Sequence, residues 1–350
     1  MPSQAQTPPE RASVSLRFLD YLDSQPDADR IRVRATALGL TVPAGSQWSF
    51  NGTAVHDAIS GASPAYHTSA LTQMRDRRRA LDLSATRYMD RAAVTLGASV
   101  SSEADYLSRG LSAQATIESD DRNTAWTAGL SSTRDSINPS NGVVVGERKR
   151  TLQTLLGVTQ VLGTHDIVQL NLGRNVGEGY FSDPYKVFDN RPRHRQQSTF
   201  MVRWNHHLEA PGATLRTHWR HYRDSYGVRA ETVALEYVQP LMGGWTVTPL
   251  ARLYSQSAAW FYLDADGVDS PFAPNPPEGA TYFSQDQRLS AFGARTVGVK
   301  VSRTFGLEWA ADLKLERYAQ RGAWCWSGSG SPGLAPFNAR FLQFGLTRSF

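Results

Sequence analysis

Apolar and polar residues alternate along this chain in segments of about ten residues, and turn-forming residues separate the segments. The stretches 94–101, 111–118 and 309–316 show the alternation most clearly. A period of two is the period of β-strands, in which successive side chains point to opposite faces of a sheet. The pattern therefore predicts an all-β protein.

The connections between these segments fall into two classes that take turns along the chain. Short connections lie near residues 43–45, 89–91, 120–122, 163–165, 210–212, 242–244 and 306–307. Longer, more polar connections lie near residues 24–29, 56–75, 102–109, 135–149, 177–195, 224–227, 258–285 and 322–337. Short periplasmic turns and long outside loops are typical of transmembrane β-barrels in the Gram-negative outer membrane. The connections predict an antiparallel up-and-down barrel of about 16 strands.

The barrel is expected to comprise residues 13–350, after a disordered tail at residues 1–12. Residues 1–10 lack the basic and apolar regions of a secretory signal peptide. Because a barrel must be exported, we expect that its signal peptide was removed or lies upstream of this start.

The C-terminal segment places Leu342, Phe344, Leu346 and Phe350 at positions of one parity. This arrangement resembles the C-terminal signal of outer-membrane barrels, which ends in phenylalanine and is read by the barrel-assembly machinery. We therefore expect that machinery to be a partner. Arg348 departs from the signal, in which an aromatic or aliphatic residue is usual. We expect it at the rim of the barrel, where a charge costs roughly 0–1 kcal/mol.

Two other residues conflict with the strand pattern. Arg295 shares the parity of Val297 and Val299, so it points toward lipid unless a β-bulge restores the phase. Pro249 lies inside a predicted strand of a closed sheet, where its missing N–H removes a hydrogen bond of the ladder.

The amino-acid composition is compatible with a barrel and indicates which molecules the barrel contacts. The mean hydropathy is −0.41, and no apolar run reaches the ~18–20 residues of a membrane-spanning helix. The net charge is +5, and all but four of the 37 basic residues are arginines spread along the chain. Dispersed charge speaks against a nucleic-acid partner. Planar guanidinium groups suit the phosphates of lipopolysaccharide, so we expect outer-membrane lipid and lipopolysaccharide as partners.

Charged residues of both signs fall at positions that are predicted to point into the barrel. They are Arg203, Arg216, Arg220, Glu236, Arg252, Asp312, Lys314 and Glu316. Buried charges need pairing. These residues therefore either line a water-filled pore or cross-link a plugged lumen, and the alternation does not choose between the two.

Motifs for metal binding and catalysis are weak. Asp264, Asp266 and Asp269 have calcium-like spacing but lack the bidentate glutamate of a full loop, so a solvated acidic turn is the default. The single cysteine, Cys325, excludes an intramolecular disulfide. No G-x-S-x-G motif occurs. We expect no catalytic residues, no bound cofactor and no enzyme activity.

Several segments carry a family resemblance. They are residues 60–67, 138–139, 141–142, 179–186, 190–193, 203–207, 286–293 and 328–334. These segments resemble an uncharacterised family of proteobacterial outer-membrane barrels, a domain-of-unknown-function family. The resemblance implies the barrel fold and the outer-membrane location without an established activity. It further implies an association with periplasmic thioredoxin-like and flavin-transfer proteins.

Two classes of function follow. The leading one is a porin-like channel or partner-associated barrel, whose lumen admits small solutes or a plug protein. A barrel of about 16 strands is wide enough for an aqueous channel unless loops fill it. The alternative is a non-conducting scaffold that serves a periplasmic redox system linked to flavin or thioredoxin. An outer-membrane enzyme is a remote third possibility.

Deletion of Phe350 tests the C-terminal signal. The deletion removes one interfacial aromatic side chain, whose burial is worth at most roughly 1.5–3 kcal/mol. The amount of protein in the outer membrane should nevertheless fall far more than the stability of protein refolded in detergent. Membrane fractionation and detergent unfolding measure the two effects separately. Unchanged membrane levels would contradict a role of this terminus in assembly.

Overall fold

The computed structural model describes residues 7–26, 28–62, 73–264, 275–326 and 328–350. Sixteen strands form one closed antiparallel barrel in which each strand pairs with its neighbours along the chain, and the last strand pairs with the first. The predicted all-β up-and-down barrel of about 16 strands is confirmed. Closure leaves no free sheet edge, so the backbone N–H and C=O groups can be satisfied within the ladder.

The barrel strands are β1 (Ser13–Gln25), β2 (Ala28–Ala44), β3 (Trp48–Ala62), β4 (Gln73–Tyr88), β5 (Ala92–Ser102), β6 (Tyr106–Glu118), β7 (Thr124–Ile137), β8 (Glu147–Val161), β9 (Asp166–Gly179), β11 (His194–Leu208), β12 (Ala213–Asp224), β13 (Arg229–Pro240), β14 (Trp245–Gln256), β16 (Phe292–Phe305), β17 (Trp309–Arg321) and β18 (Phe337–Ser349). Strands β10 (Asp189–Asn190) and β15 (Phe283–Ser284) pair separately, between two outside loops. Short 3₁₀ helices span Met242–Gly244, Gln287–Leu289 and Gly322–Trp324. None of the helices in the described part of the chain is long and apolar enough to cross a membrane.

All seven short turns lie where the sequence predicts them, between β2 and β3, β4 and β5, and so on to β16 and β17. The outside connections differ widely in length. The connections at residues 103–105 and 225–228 are tight turns, only two residues of the chain separate β1 from β2, and β3 and β4 extend into the predicted loop at 56–75. In that region the hydrophobic alternation stops, but the backbone ladder continues. The alternation reports contact with lipid, so it underestimates the length of strands that rise above the membrane.

The register divides the barrel wall into an outward and an inward face. Phe18, Phe344, Leu313 and Val301 are consecutive cross-strand neighbours on the outward face. Phe18, Phe344 and Leu313 are 37%, 41% and 43% exposed. Similar apolar rows continue around the barrel, and a water-soluble protein rarely exposes so large an apolar surface. The row one residue along is polar: Gln343, Lys314 and Lys300 point inward.

The two residues that conflict with the alternation are accommodated differently. The register of β16 is continuous against both of its neighbours, so no bulge turns Arg295 inward. Arg295 lies on the outward face near the outside rim, where its guanidinium stacks 4.4 Å from the ring centre of Trp324. At Pro249, pairing with β16 persists, while the ladder between β13 and β14 is interrupted at this point because proline has no N–H to donate.

Tryptophans form an outward girdle at the periplasmic end. Arg348 stacks 5.3 Å from the ring centre of Trp309, which accounts for an arginine at this position of the C-terminal segment. Tyr88 does not belong to the girdle, because it points inward and hydrogen-bonds Ser49 at 3.0 Å. Two further outward pairs at this end are Arg87 with Trp48 and Arg303 with Trp245.

The C-terminal strand closes the barrel against β1. Leu342, Phe344 and Leu346 lie on its outward face, the first two 39% and 41% exposed. Phe350 is 61% exposed, and its N–H donates to the carbonyl of Ala12 at 2.9 Å. Recognition of these four residues by the assembly machinery stays a prediction.

Two adjacent substitutions on β17 test the face assignment. Leu313→Arg places a charge on the lipid side and should cost roughly 2–4 kcal/mol of unfolding free energy. Asp312→Asn removes only the ion pairs of Asp312 with Arg17 and Lys300, each at 3.8 Å, and should cost less than roughly 1 kcal/mol. Reversible unfolding in lipid vesicles, followed by tryptophan fluorescence, compares them. Equal losses at both positions would contradict the assignment.

Candidate functional site

The loop at residues 180–193, between β9 and β11, crosses the outside mouth of the barrel. At one end the hydroxyl of Tyr185 donates to Asp105, in the turn between β5 and β6, at 2.7 Å. At the other end Arg191 donates to Asp286, in the loop between β14 and β16, at 2.7 Å. Eight of the sixteen strands separate these two attachment points in either direction. The loop and its partners therefore connect opposite sides of the mouth.

A buried ionic cluster joins the two loops. Arg191 donates to Asp189 at 2.5 Å and to Asp286 at 2.7 Å, and the side chains of these aspartates are 0% and 1% exposed. Arg288 makes a forked contact with Asp286 and reaches Asp183 at 3.0 Å. Two guanidinium groups thus share one carboxylate at the centre. Removing one partner from such a buried group leaves an uncompensated charge and costs roughly 3–5 kcal/mol.

The two central carboxylates respond to pH in opposite directions. Burial opposes ionisation of Asp286, but hydrogen bonds and charge from Arg288, with Lys186 and Arg191, outweigh burial and lower its pKa. Burial raises the pKa of Asp189 in spite of Arg191. Because the pKa of Asp189 is raised on folding, its protonation stabilises the folded state as pH falls. The pKa of Asp286 is lowered on folding, so the stability that its ionised carboxylate contributes is lost only as pH falls below the ordinary carboxylate pKa of about 3.9. The cluster should hold throughout the neutral and mildly acidic range.

A small hydrophobic core supports the cluster from the neighbouring loops. Its buried members are Tyr226, Val228, Ala259, Phe261 and Leu289. Tyr226 is 0% exposed and donates to the carbonyl of Pro192 at 2.8 Å. Burial raises the pKa of Tyr226 to about 12, so its hydroxyl stays protonated and keeps this bond at physiological pH. The described parts of three outside loops are therefore packed together as one folded unit.

Below this unit, the inward faces of β6 to β11 border a polar cavity of about 330 Å³. Tyr106 donates to Asp135 at 2.5 Å, and Lys149 lies 3.2 Å from the same carboxylate and 2.9 Å from the tyrosine hydroxyl. Asp135 is only 4% exposed, so the lysine neutralises it in place. Hydroxyl and amide groups provide most of the remaining wall: Ser108, Thr133, Thr151, Gln153, Asn175 and Gln197.

The loop at residues 180–193, called the mouth-crossing loop below, places the side chain of Phe181 in the wall of this cavity. Its ring lies against the barrel wall at Gly177, where an added Cβ would come within 2.7 Å of the ring. Lys149 lies 5.7 Å from the ring centre on the cavity side. Glycine at position 177 thus makes room for an aromatic side chain inside the lumen.

The register places all eight predicted inward charges on the face opposite the apolar rows. The acidic members have basic neighbours: Glu236 lies 3.9 Å from Arg216, Glu316 lies 3.0 Å from Lys314, and Asp312 lies 3.8 Å from Lys300. Arg203, Arg220 and Arg252 have no carboxylate within 4.0 Å among the described residues. One wall of the barrel, on β11, β12 and β14, therefore carries excess positive charge.

Of the three aspartates in the calcium candidate, Asp264, Asp266 and Asp269, the structure describes only Asp264. Asp266 and Asp269 lie outside the described residues, and Asp264 accepts a long hydrogen bond from Tyr262 at 3.5 Å. Among the described residues no group of three or more histidine, cysteine, aspartate or glutamate side chains could hold a metal ion.

Sequence reasoning missed the ionic cluster and the cavity. The resemblance segments 190–193 and 286–293 contain Arg191, Asp286 and Arg288, but they are far apart in the chain. The contact between Arg191 and Asp286 spans 95 residues. Strand alternation carries no information about which loops meet.

A family model described as "Protein of unknown function (DUF3570)" matches residues 67–148 and 143–341 of the chain. The chain belongs to this family. The resemblance inferred from the sequence segments is thereby confirmed. No curated protein is significantly similar to the chain in sequence.

Solved structures share the barrel fold of this family member. A bacterial polysaccharide outer membrane secretin is 9% identical, with a TM-score of 0.55, over 96% of this chain and 98% of its own. OccK2 (OpdF) of Pseudomonas aeruginosa, in complex with glucuronate, is 10% identical with a TM-score of 0.48, over 97% of this chain and 98% of its own. The closed antiparallel fold and its apolar outward belt are those of a barrel of the Gram-negative outer membrane.

Asp286→Asn should loosen the mouth-crossing loop, because it leaves Arg191 buried without its full counter-charge. Cleavage by trypsin after Lys186, in folded protein in detergent, should become at least tenfold faster. Asp121→Asn is the control, since Asp121 is bonded to Ser119 and Asn123 in a turn at the opposite end. Unchanged cleavage in Asp286→Asn would contradict the proposed role of the cluster.

Proposed function

We propose that this barrel is a loop-constricted, porin-like channel for small polar solutes, with a preference for anions. The observation that carries the proposal is the set of inward arginines Arg203, Arg220 and Arg252, which are exposed to solvent and lack carboxylate partners within the described part of the chain. Exposure on the inward face of a barrel requires a lumen that admits water. Excess positive charge in such a lumen concentrates anions.

Other inward residues support a hydrated lumen. Ser112, Gln114 and Gln153 lie on the inward face of β6 and β8 and are exposed. A barrel of this size holds an aqueous channel unless loops fill it. The outside loops narrow the mouth, but the cavity beneath them is lined by polar groups, as a path for polar solutes requires.

The residues that line the cavity indicate which class of solute can pass the narrowed mouth. Lys149 and Asp135 neutralise each other, and so do Arg195 and Asp224, whose separation is 2.6 Å. The remaining hydroxyl and amide groups can exchange hydrogen bonds with a solute, while the ring of Phe181 offers an apolar surface. This combination suits a small solute with several hydroxyl or carboxylate groups. The arginine wall lies elsewhere in the lumen and adds the preference for anions.

Transport rather than catalysis is the role proposed here. The packed loops at the mouth favour the second candidate function, a non-conducting scaffold that serves a periplasmic redox partner. A folded unit with its own core and ionic cluster would close the barrel against solutes if it does not move. The two candidates differ in whether ions pass through the isolated, folded chain.

Planar-bilayer recordings of the purified full chain test the proposal. Ohmic conductance steps are expected, and in a potassium chloride gradient the reversal potential should indicate chloride over potassium. The triple variant R203Q/R220Q/R252Q should lose most of that preference. The control R216Q/E236Q removes an ion pair from the same wall without a change in net charge and should leave the preference intact.

An absence of conductance would favour the scaffold function. If correctly folded wild-type protein and Asp286→Asn are both silent, the channel proposal fails. If only Asp286→Asn conducts, the loop unit closes the channel in the resting state, and its movement becomes part of transport.

A further inference from the structure

We infer that the outside rim of the barrel carries a binding site for the phosphate groups of lipopolysaccharide. The site is an outward groove of about 540 Å³ bordered by Arg295, Arg317, Arg340 and Trp324, with Leu22 and Val297. We call it the arginine groove. It lies on the opposite face of the wall from the lumen, so it is independent of the proposed channel.

The register fixes the position of the groove. Leu22, Arg340, Arg317 and Val297 form one outward row across β1, β18, β17 and β16. On β17, the next outward residue toward the periplasm is Leu315, which is 47% exposed in the apolar belt. Two residues of a strand span roughly 6–7 Å. The guanidinium groups therefore border the apolar belt at the depth of the outer-leaflet headgroups.

The arginines of the groove have no close counter-charge within the described chain. Arg317 and Arg340 are directly opposite across paired strands, an arrangement that destabilises a sheet when both residues carry the same charge. No carboxylate of a described residue lies within 4.0 Å of Arg295, Arg317 or Arg340. A single carboxylate, Asp29, borders the groove. Three guanidinium groups face it, so the excess positive charge needs an external anion.

A pair inside the barrel provides the comparison. Lys300 and Lys314 are also directly opposite each other, on the inward face. Each has a carboxylate beside it: Asp312 lies 3.8 Å from Lys300, and Glu316 lies 3.0 Å from Lys314. Where like charges meet in the lumen, the chain provides the acids. Beside Arg317 and Arg340 the described chain provides none this close, whereas elsewhere on the outward face Asp20 pairs with Arg32 and Arg34. For the groove, the surrounding membrane is the remaining source of negative charge.

The same pattern recurs around the rim. Arg109, Arg134 and Arg150 are consecutive cross-strand neighbours on the outward faces of β6, β7 and β8. Glu178 follows opposite Arg150, but it forms its ion pair with His194, at 3.9 Å. Arg223 and Arg229 form another outward pair. At the periplasmic end, by contrast, outward arginines stack on tryptophans. Outward arginines that neighbour each other at the outside end fit a leaflet whose lipid carries several phosphates.

Lipopolysaccharide fits the groove better than a singly charged phospholipid. Guanidinium groups bind phosphate through two parallel hydrogen bonds, and neighbouring arginines can bind neighbouring phosphates. Trp324 holds Arg295 at 4.4 Å and Arg321 at 5.2 Å. It therefore positions one guanidinium of the groove, while Leu22 and Val297 offer apolar surface to acyl chains.

The test measures binding of purified rough lipopolysaccharide with a bisphosphorylated lipid A to the full barrel in detergent. The variant R295Q/R317Q/R340Q should bind roughly 100-fold more weakly, since each basic residue near an anionic surface contributes about fivefold. The control R87Q/R303Q/R348Q removes three outward arginines from the periplasmic end and should bind like wild type. Dephosphorylated lipopolysaccharide and phosphatidylglycerol vesicles should bind weakly to all three proteins.

Three outcomes would overturn the assignment: unchanged binding by the groove variant, an equal loss in the control, or equal binding of dephosphorylated lipopolysaccharide or phosphatidylglycerol. Folding of each variant is checked by heat-modifiable migration on gels. The single variant Arg317→Gln adds a second measurement. In detergent free of lipopolysaccharide it should be at least as stable as wild type, because it relieves a like-charge pair. With lipopolysaccharide present, it should gain less stability than wild type gains. An equal gain would contradict the site.

Discussion

The closed antiparallel ladder is the constraint on which the rest of this structure depends. Once β18 pairs with β1, every strand has two neighbours, and a slip of one residue in any of them would exchange its lipid and lumen faces. The chain maintains the phase through β16 in spite of Arg295 and through β14 in spite of Pro249. At the proline the ladder loses hydrogen bonds on one side only, because the other side remains paired. Pairing therefore takes precedence over the preferences of individual residues.

Because the phase is fixed, the same residue type has different consequences on the two faces and at the two ends. Several inward acidic residues lie beside lysines or arginines, as Glu316 does beside Lys314. Outward arginines at the periplasmic end lie on tryptophan rings, as Arg348 does on Trp309. Outward arginines at the outside rim, such as Arg317 and Arg340, meet each other. A composition of arginines spread along the chain thus resolves into distinct electrostatic environments.

Most of the barrel could be predicted from the sequence because its signals are local. The positions of Leu313 and Asp312 on opposite faces follow from a period of two, and the seven periplasmic turns follow from turn residues. The mouth could not be predicted in this way. The contact of Arg191 with Asp286 joins loops that alternation does not relate, and the upper part of β3 has polar residues on both faces. Prediction is reliable where lipid contact imposes a pattern and stops where the strands leave the membrane.

The mouth and the wall also differ in how they are stabilised, and this difference bears on function. The wall is held by a continuous backbone ladder, whereas the loop unit is held by a small core around Tyr226 and by two arginines on Asp286. Opening the loop unit breaks these side-chain contacts and the two-residue pairing of β10 with β15, and it leaves the barrel ladder intact. A change in the mouth can therefore be much less costly than a change in the barrel, and regions of low local stability are those from which moving elements are drawn. Any regulation of access to the lumen is expected in these loops, because a rigid closed sheet offers no comparable alternative arrangement.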